Sequence, residues 1–339
     1  MSAHGLASMR EFRRHARRDA PRIRRAERTV AFSILLVVFA IIFAAIGALM
    51  MTTAASEPAS ERTRTFLLGV FSAGLGVFFL SVMVATLVGR ARSWRSRRAA
   101  AQNALAHGWH YELEVDPREH PGSLFRKGVR GWAESAVHVH EPRYTEVGNY
   151  TFQAEQGKSL KALERIGYVC VQLDRRLPHL FLEAQGRKRV RPYDLGFSGA
   201  QRMDLEGDFR SFFRVYAPAG YGEDALFVLT PDLMRLLVEE APGCDVEIIT
   251  DCLFVYAPGA FDLTTPHPLG VALRIAETIG ARTAQRSSRY VDERADHPDL
   301  VDPSGARLAT SRRWILTLVP GIAFVVTMLA IGWTQGAFG

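Results

Sequence analysis

The segment VAFSILLVVFAIIFAAIGALMM, Val30 to Met51, runs for 22 positions without one ionisable side chain. A helix rises 1.5 Å per residue, so about 20 apolar residues cross a hydrocarbon core roughly 30 Å thick. The stretch therefore predicts a transmembrane helix, and that reading governs the rest of the chain. Phe66 to Val88 offers a second such run of 23 residues and Trp314 to Trp333 a third of 20. Indole rings favour the two membrane interfaces, where Trp314 and Trp333 would sit. Pro320 and Gly321 between them suit a lipid-embedded helix, in which a kink is tolerated. The first run exceeds the apolar core of about 7–15 residues in a signal peptide, and a second run follows after only TTAASEPASERTRT. A retained anchor is expected rather than a cleaved leader. Small residues at four-residue spacing, Ala40, Ala44 and Ala48 on the first run and Gly69 and Ala73 on the second, would let two helix backbones approach closely.

Charge orients the chain. Arg10, Arg13, Arg14, Arg17, Arg18, Arg22, Arg24, Arg25 and Arg28 precede the first run. Arg90, Arg92, Arg95, Arg97 and Arg98 follow the second, and Arg307, Arg312 and Arg313 precede the third. The loop between the first two carries only Arg62 and Arg64, and the tail after Trp333 has no charge. Arg-rich flanks stay in the cytoplasm. The expected layout is a basic cytoplasmic segment over 1–29, a span over 30–51 and an extracytoplasmic loop over 52–65. A second span over 66–88, a cytoplasmic domain over 89–313, a span over 314–333 and an extracytoplasmic tail over 334–339 complete it.

The net charge of +7 conceals a division. Residues 101–306 carry 23 Lys or Arg against 30 Asp or Glu, while the remainder carries 19 against 5. Basic character thus belongs to the flanks, where Arg meets anionic lipid head groups. Nucleic acid as a partner would need a basic patch on the domain itself, so none is expected. RKRVR, Arg187 to Arg191, reads as a solvated loop, or else as a head-group or phosphate contact. The 3 cysteines, Cys170, Cys244 and Cys252, form no CxxC, which argues against a disulfide framework and a thiolate metal site.

Within the domain, WHYELEV, AVHVH, YTFQAEQ, ERIGYVCVQL and HLFLEA alternate and are rich in β-branched and aromatic residues, as antiparallel strands are. RRLP, Arg175 to Pro178, reads as the turn between the last two. VYAP occurs at Val215 to Pro218 and again at Val255 to Pro258. Each copy precedes a Thr-Pro pair, Thr230-Pro231 and Thr265-Pro266, and Thr as N-cap with Pro at the first helical position starts a helix. PDLMRLLVEE and PHPLGVALRIAETIGARTAQ are the helices expected there. The fold class is therefore α+β: an antiparallel-sheet domain with helices, anchored by two N-terminal spans and one C-terminal span.

LEGDFRSFF, Leu205 to Phe213, is the stretch most like a site. Glu206 and Asp208 flank Gly207, and Phe209, Phe212 and Phe213 recur at the spacing of one helical face. The structural reading makes Gly207 a turn, Asp208 an N-cap and the phenylalanines a buried face. The catalytic reading needs both carboxylates to converge on one cleft, which the turn between them opposes.

LPHLFLEA at Leu177 to Ala184, LEGDF, VYAP and ALFVLTPDLM at Ala225 to Met234 together resemble a pattern in uncharacterised, mostly actinobacterial integral membrane proteins that carry a domain of unknown function. The likeness runs over about residues 150–258 and the spans outside them. It implies a membrane anchor and a cytoplasmic domain, and no activity. Where this chain has Glu183, Asp is more usual in the pattern.

The chain contains no GxxxxGK[ST], no soluble GxGxxG and no HExxH. The best metal-ligand candidates are histidines, since His107, His110, His120, His138 and His140 fall within 34 residues. On a strand His138 and His140 share a face, and His107 or His110 would supply a third ligand. The plainer reading is the polar face of a half-exposed strand, and no cofactor is expected. The absence of ionisable residues from all three spans speaks against a channel or carrier. Two readings of function stand. One is a tethered domain that binds or scaffolds a protein partner at the cell envelope. The other is an anchored enzyme, hydrolytic or metal-dependent, using Glu206, Asp208, His179 or the clustered histidines.

Overall fold

A computed structural model describes residues 30–127, 129–156, 159–186, 193–205 and 207–310, with Phe12 and Ala20. Arg24, Arg25, Arg28, the RKRVR run, Glu206, Arg312, Arg313, the apolar run from Trp314 to Trp333 and the tail lie outside these residues. The chain divides into two units. Met1–Glu119, Arg130–Thr151 and Ala260–Ala272 form one, and His120–Val129, Phe152–Gly259 and Leu273–Gly339 form the other.

The first unit is built on α1 (Val30–Thr53) and α2 (Ala59–Ala106), both long and apolar enough to cross a membrane. α2 starts just after Pro58, inside the stretch expected as a loop over 52–65. No proline interrupts the next 48 residues, and α2 runs unbroken for about 72 Å. Close approach of the two helices rests on glycine: a Cβ on Gly47 would lie 2.7 Å from the Ala73 nitrogen, and one on Gly76 would lie 3.0 Å from the Ala40 carbonyl. Ser72 donates to the Phe43 carbonyl at 2.8 Å, which satisfies its hydroxyl between the helices. The expected small-residue row is corrected at one place. Gly47 takes the contact and Ala48 is exposed, since a helix seam advances by 3.5 residues on average rather than 4.

Beyond the apolar stretch α2 becomes part of a fold. Trp94, Ala100, Ala101 and Ala104 are buried, and α2 lies against β1 (His110–Val115). β1 pairs antiparallel with β2 (Val129–Val139), setting His110 opposite His138 and Glu114 opposite Glu134, and β3 (Thr145–Gln156) is the next strand. Arg97 of α2 reaches Glu134 at 3.1 Å, and Thr151 donates to the other carboxylate oxygen at 3.1 Å. The returning segment is fastened by Asn149, which accepts from the Phe261 nitrogen at 2.7 Å and donates to its carbonyl at 3.1 Å.

The second unit is organised around β4 (Ser159–Ala184), with β5 (Arg202–Met203), α3 (Phe209–Phe212), β6 (Phe213–Tyr216), α4 (Gly222–Val228) and α5 (Pro231–Glu240) following. Then come β7 (Asp245–Tyr256), α6 (Pro266–Ile275), a π-helical turn (Ala276–Gly280), α7 (Ala281–Ser287) and α8 (Pro303–Ala306). β7 and β6 both pair antiparallel with β4, and β5 with β6. The expected turn at RRLP does not exist. β4 runs through it, and between Gln172 and Leu177 it advances 5 residues while β7 advances only 2, from Cys252 to Thr250. The surplus forms a bulge, where Pro178 is free of a ladder bond it could not make and Thr250 takes φ 55°.

Helices start at Thr230-Pro231 and Thr265-Pro266 as the sequence suggests. The two VYAP copies, however, end β6 and β7 and do not build equal halves: α4 intervenes after the first and a loop after the second. LEGDF also needs correction. Gly207 has φ 75°, but Asp208 has helical backbone angles and its side chain makes no cap bond. An N-cap side chain is aimed by extended backbone, which is missing here. Helix α3 is a single turn because Phe213 is taken into β6 opposite Ala184. Phe209 and Phe213 are buried with rings 5.1 Å apart, whereas Phe212 is 46% exposed.

Candidate functional site

The last part of β4 is LPHLFLEA, edged by β7 and β6. Successive strand side chains alternate, so His179, Phe181 and Glu183 share one face and Leu180, Leu182 and Ala184 the other. On the first face His179 Nε2 lies 2.8 Å from Glu247 of β7. Tyr256 donates its hydroxyl to the same carboxylate at 2.6 Å, and the Ser123 nitrogen donates at 2.9 Å. The Leu308 nitrogen donates to His179 Nδ1 at 2.9 Å, so the ring proton resides on Nε2 and points at Glu247. His179, Glu247 and Tyr256 are at most 1% exposed.

Burial by itself pushes the Glu247 carboxyl up, but the hydrogen bonds from His179, Ser123 and Tyr256 outweigh it and hold the group below the usual carboxylate range. Burial and the Glu247 charge push the Tyr256 phenol far above its ordinary value. Two residues earlier on β7, Asp245 accepts from the Ala184 nitrogen at 2.8 Å and from the Tyr193 hydroxyl. Toward the surface Glu183 accepts from Arg214 at 2.9 Å and Tyr216 at 3.2 Å, joining LPHLFLEA to FRVYAP. Phe197 leans on Phe181, with ring centroids 5.1 Å apart, and completes the cover.

The same knot fastens a strap, residues 290–310. Asp292, 2% exposed, accepts from the Tyr221 hydroxyl at 2.8 Å and the Asp302 nitrogen at 3.0 Å. Gly305 lies against the Tyr221 ring where a Cβ would collide, and Arg307 donates to the Pro121 carbonyl at 3.1 Å. Leu308 and a bridge from Phe197 to Thr310 end the strap on the β4 face.

The sequence singled out other residues, and the structure separates them. His107 is held at the end of α2 by the Asn103 carbonyl at 2.8 Å and stacks on Trp109. His110 and His138 meet across β1 and β2 with rings 5.7 Å apart, and His138 Nδ1 lies 2.9 Å from the Tyr144 hydroxyl. His140 follows β2 and faces Tyr144 at 5.6 Å. Burial, and then the charge of His140 among the described groups, lowers the His110 pKa. Among the described residues no three His, Cys, Asp or Glu side chains are grouped to hold a metal ion. Cys170 and Cys252 are buried, while Cys244 is half-exposed in the turn before β7.

Glu247, Asp245, Tyr256 and Asp292 went unnoticed in the sequence. For Asp245 and Glu247 the signal was present in DVEIIT, where two carboxylates alternate with Val and Ile and so share one strand face. Chemically the knot offers nothing to a solute. A general base must come within about 2.6–3.2 Å of the proton it takes, and these side chains are sealed and already engaged. The arrangement is a structural latch.

No family model matches the chain, and no curated protein matches it. Among solved structures it is similar to the crystal structure of the mycobacterial trehalose monomycolate transport factor A, TtfA, with 15% identity and a TM-score of 0.37. The likeness covers 55% of this chain and 93% of that one. At that TM-score it assigns neither fold nor activity.

Proposed function

We propose that this chain is a membrane-anchored protein whose α+β part binds or scaffolds a protein partner at the cytoplasmic face of the cell envelope. The observation that carries the reading is α2, one unbroken helix with an apolar, outwardly exposed stretch over residues 66–88 and, beyond it, a side that buries Trp94, Ala100, Ala101 and Ala104 where the helix lies against β1. A helix built in this way is a rigid post, and a tether that only retained a domain would need no such continuity. The outer faces of α1 and α2, with Ile41, Leu49, Phe71 and Val77 more than 60% exposed, suit lipid rather than water. Arg90 and Arg92 would meet anionic head groups where α2 leaves the bilayer, as would Arg24, Arg25, Arg28, Arg312 and Arg313 at the other flanks. The third span over 314–333 belongs to the same proposal, with the N-terminus inside and the C-terminus outside. The sealing of His179, Glu247 and Tyr256 favours binding over catalysis as the work of the second unit.

Impermeant thiol labelling of intact cells tests the layout. Cysteines introduced as Ser56→Cys and Gly336→Cys are expected to label, and the native half-exposed Cys244 is expected to stay dark until the cells are opened. Labelling of Cys244 in intact cells, with both introduced sites silent, overturns it.

A further inference from the structure

The second unit carries a face that the latch does not use. On α7 Arg282 and Arg286 are one turn apart and share a side, and Arg289 follows in the turn just after the helix. Among the described residues Arg286 and Arg289 are in no ion pair, and Arg282 lies 3.9 Å from Asp232 and donates to Gln285 at 3.1 Å. α4 lies beside α7 and exposes Leu226 to 53% and Phe227 to 36%, with the Arg286 guanidinium 5.4 Å over the Phe227 ring. The Phe227 ring is also 6.0 Å from Tyr290, and the next residue, Val291, is 49% exposed. The nearest acidic residue along α4 that bonds to nothing described is the exposed Glu223.

Exposed aromatic and aliphatic groups interleaved with arginine suit an interface that is anionic outside and apolar within. The setting sharpens this. Residues 101–306 carry 30 acidic against 23 basic side chains, so an anionic surface repels the domain as a whole and attracts it at such a face. We infer that the α4–α7 face docks on an anionic lipid bilayer, with the arginines at the phosphates and Leu226 and Phe227 among the upper acyl carbons. The inference rests on the membrane-anchored reading, which supplies the high local concentration that lets a small face suffice.

The full chain is placed in nanodiscs of phosphatidylcholine, with and without phosphatidylglycerol, that contain acyl-chain nitroxide lipid. A fluorophore is attached through Ser288→Cys, in a background lacking the native cysteines. Quenching is expected in the phosphatidylglycerol discs, and R286Q/R289Q is expected to lower the docked-to-undocked ratio about thirtyfold, from two lost head-group attractions. Quenching that is equal in phosphatidylcholine discs, or unchanged in the double variant, overturns recognition by charge. A chain that co-elutes with the discs and shows no quenching overturns docking and leaves an acidic protein as the ligand of this face. A chain that fails to enter the discs overturns the anchor instead.

Discussion

Tyr256 reaches Glu247 because position 122 has no side chain: a Cβ there would meet the Tyr256 hydroxyl. Gly122→Ala is therefore expected to lower stability by about 1–3 kcal/mol, as overpacking does, and the apparent melting temperature of the detergent-solubilised chain measures it. Glu247→Ala is expected to cost more, about 3–5 kcal/mol, since it strands His179, Tyr256 and the Ser123 nitrogen in the interior. Glu247 also sets a pH dependence. Its folded pKa lies below the usual range, so its contribution is complete above the unfolded value and is lost as pH falls through the folded one. Melting temperatures of the parent should fall on acidification through and below the carboxylate range, and Glu247→Gln should flatten that slope. An equal slope in both would assign the acid sensitivity to other carboxylates. His179 and Glu183 stand out in the sequence as members of a motif, but their roles do not. The partners of His179 lie 68 and 129 residues away, and no local pattern records such a distance.

Among the elements, the one-turn helix α3 separates the two kinds of information most clearly. Spacing alone put Phe209, Phe212 and Phe213 on one buried face, and pairing with β4 then drew Phe213 into a strand. Phe213→Ala should cost about 3–5 kcal/mol, whereas Phe212→Ala should stay within about 0.5 kcal/mol. Asp208→Ala should also stay within about 0.5 kcal/mol, because no cap bond is lost. Melting of the three variants beside the parent decides it, and a large loss for Asp208→Ala would restore the cap. Signals that act within a few residues were legible: the two long apolar runs, the Thr-Pro helix starts and the alternation of the strands. The passage of β4 through RRLP was not, since only the register of β7, some 75 residues on, turns that stretch into a bulge.

For the whole molecule the decisive feature is the length of α2, which carries the chain from an apolar stretch into the Arg97–Glu134 contact without a break. Breaking it is expected to matter: Arg92→Pro removes a helical bond and clashes with the preceding turn, at about 3 kcal/mol locally. The readout is proteolytic cleavage near position 92 in membranes, which should rise while the latch on Glu247 keeps the second unit resistant. A post of this kind also has an angular setting. Each residue added within it turns everything downstream by about 100° and lifts it about 1.5 Å. One or two alanines inserted after Val88 would swing the first unit's sheet to face a different quarter of the cell surface, while seven would bring it back to within about 20° of its original bearing. Crosslinking to a membrane-bound partner should then oscillate with insert length, strong at zero and seven, partly restored at four, about 40° from the start, and weakest at two and five. A yield that only declines with length would mean that the post sets height and not direction.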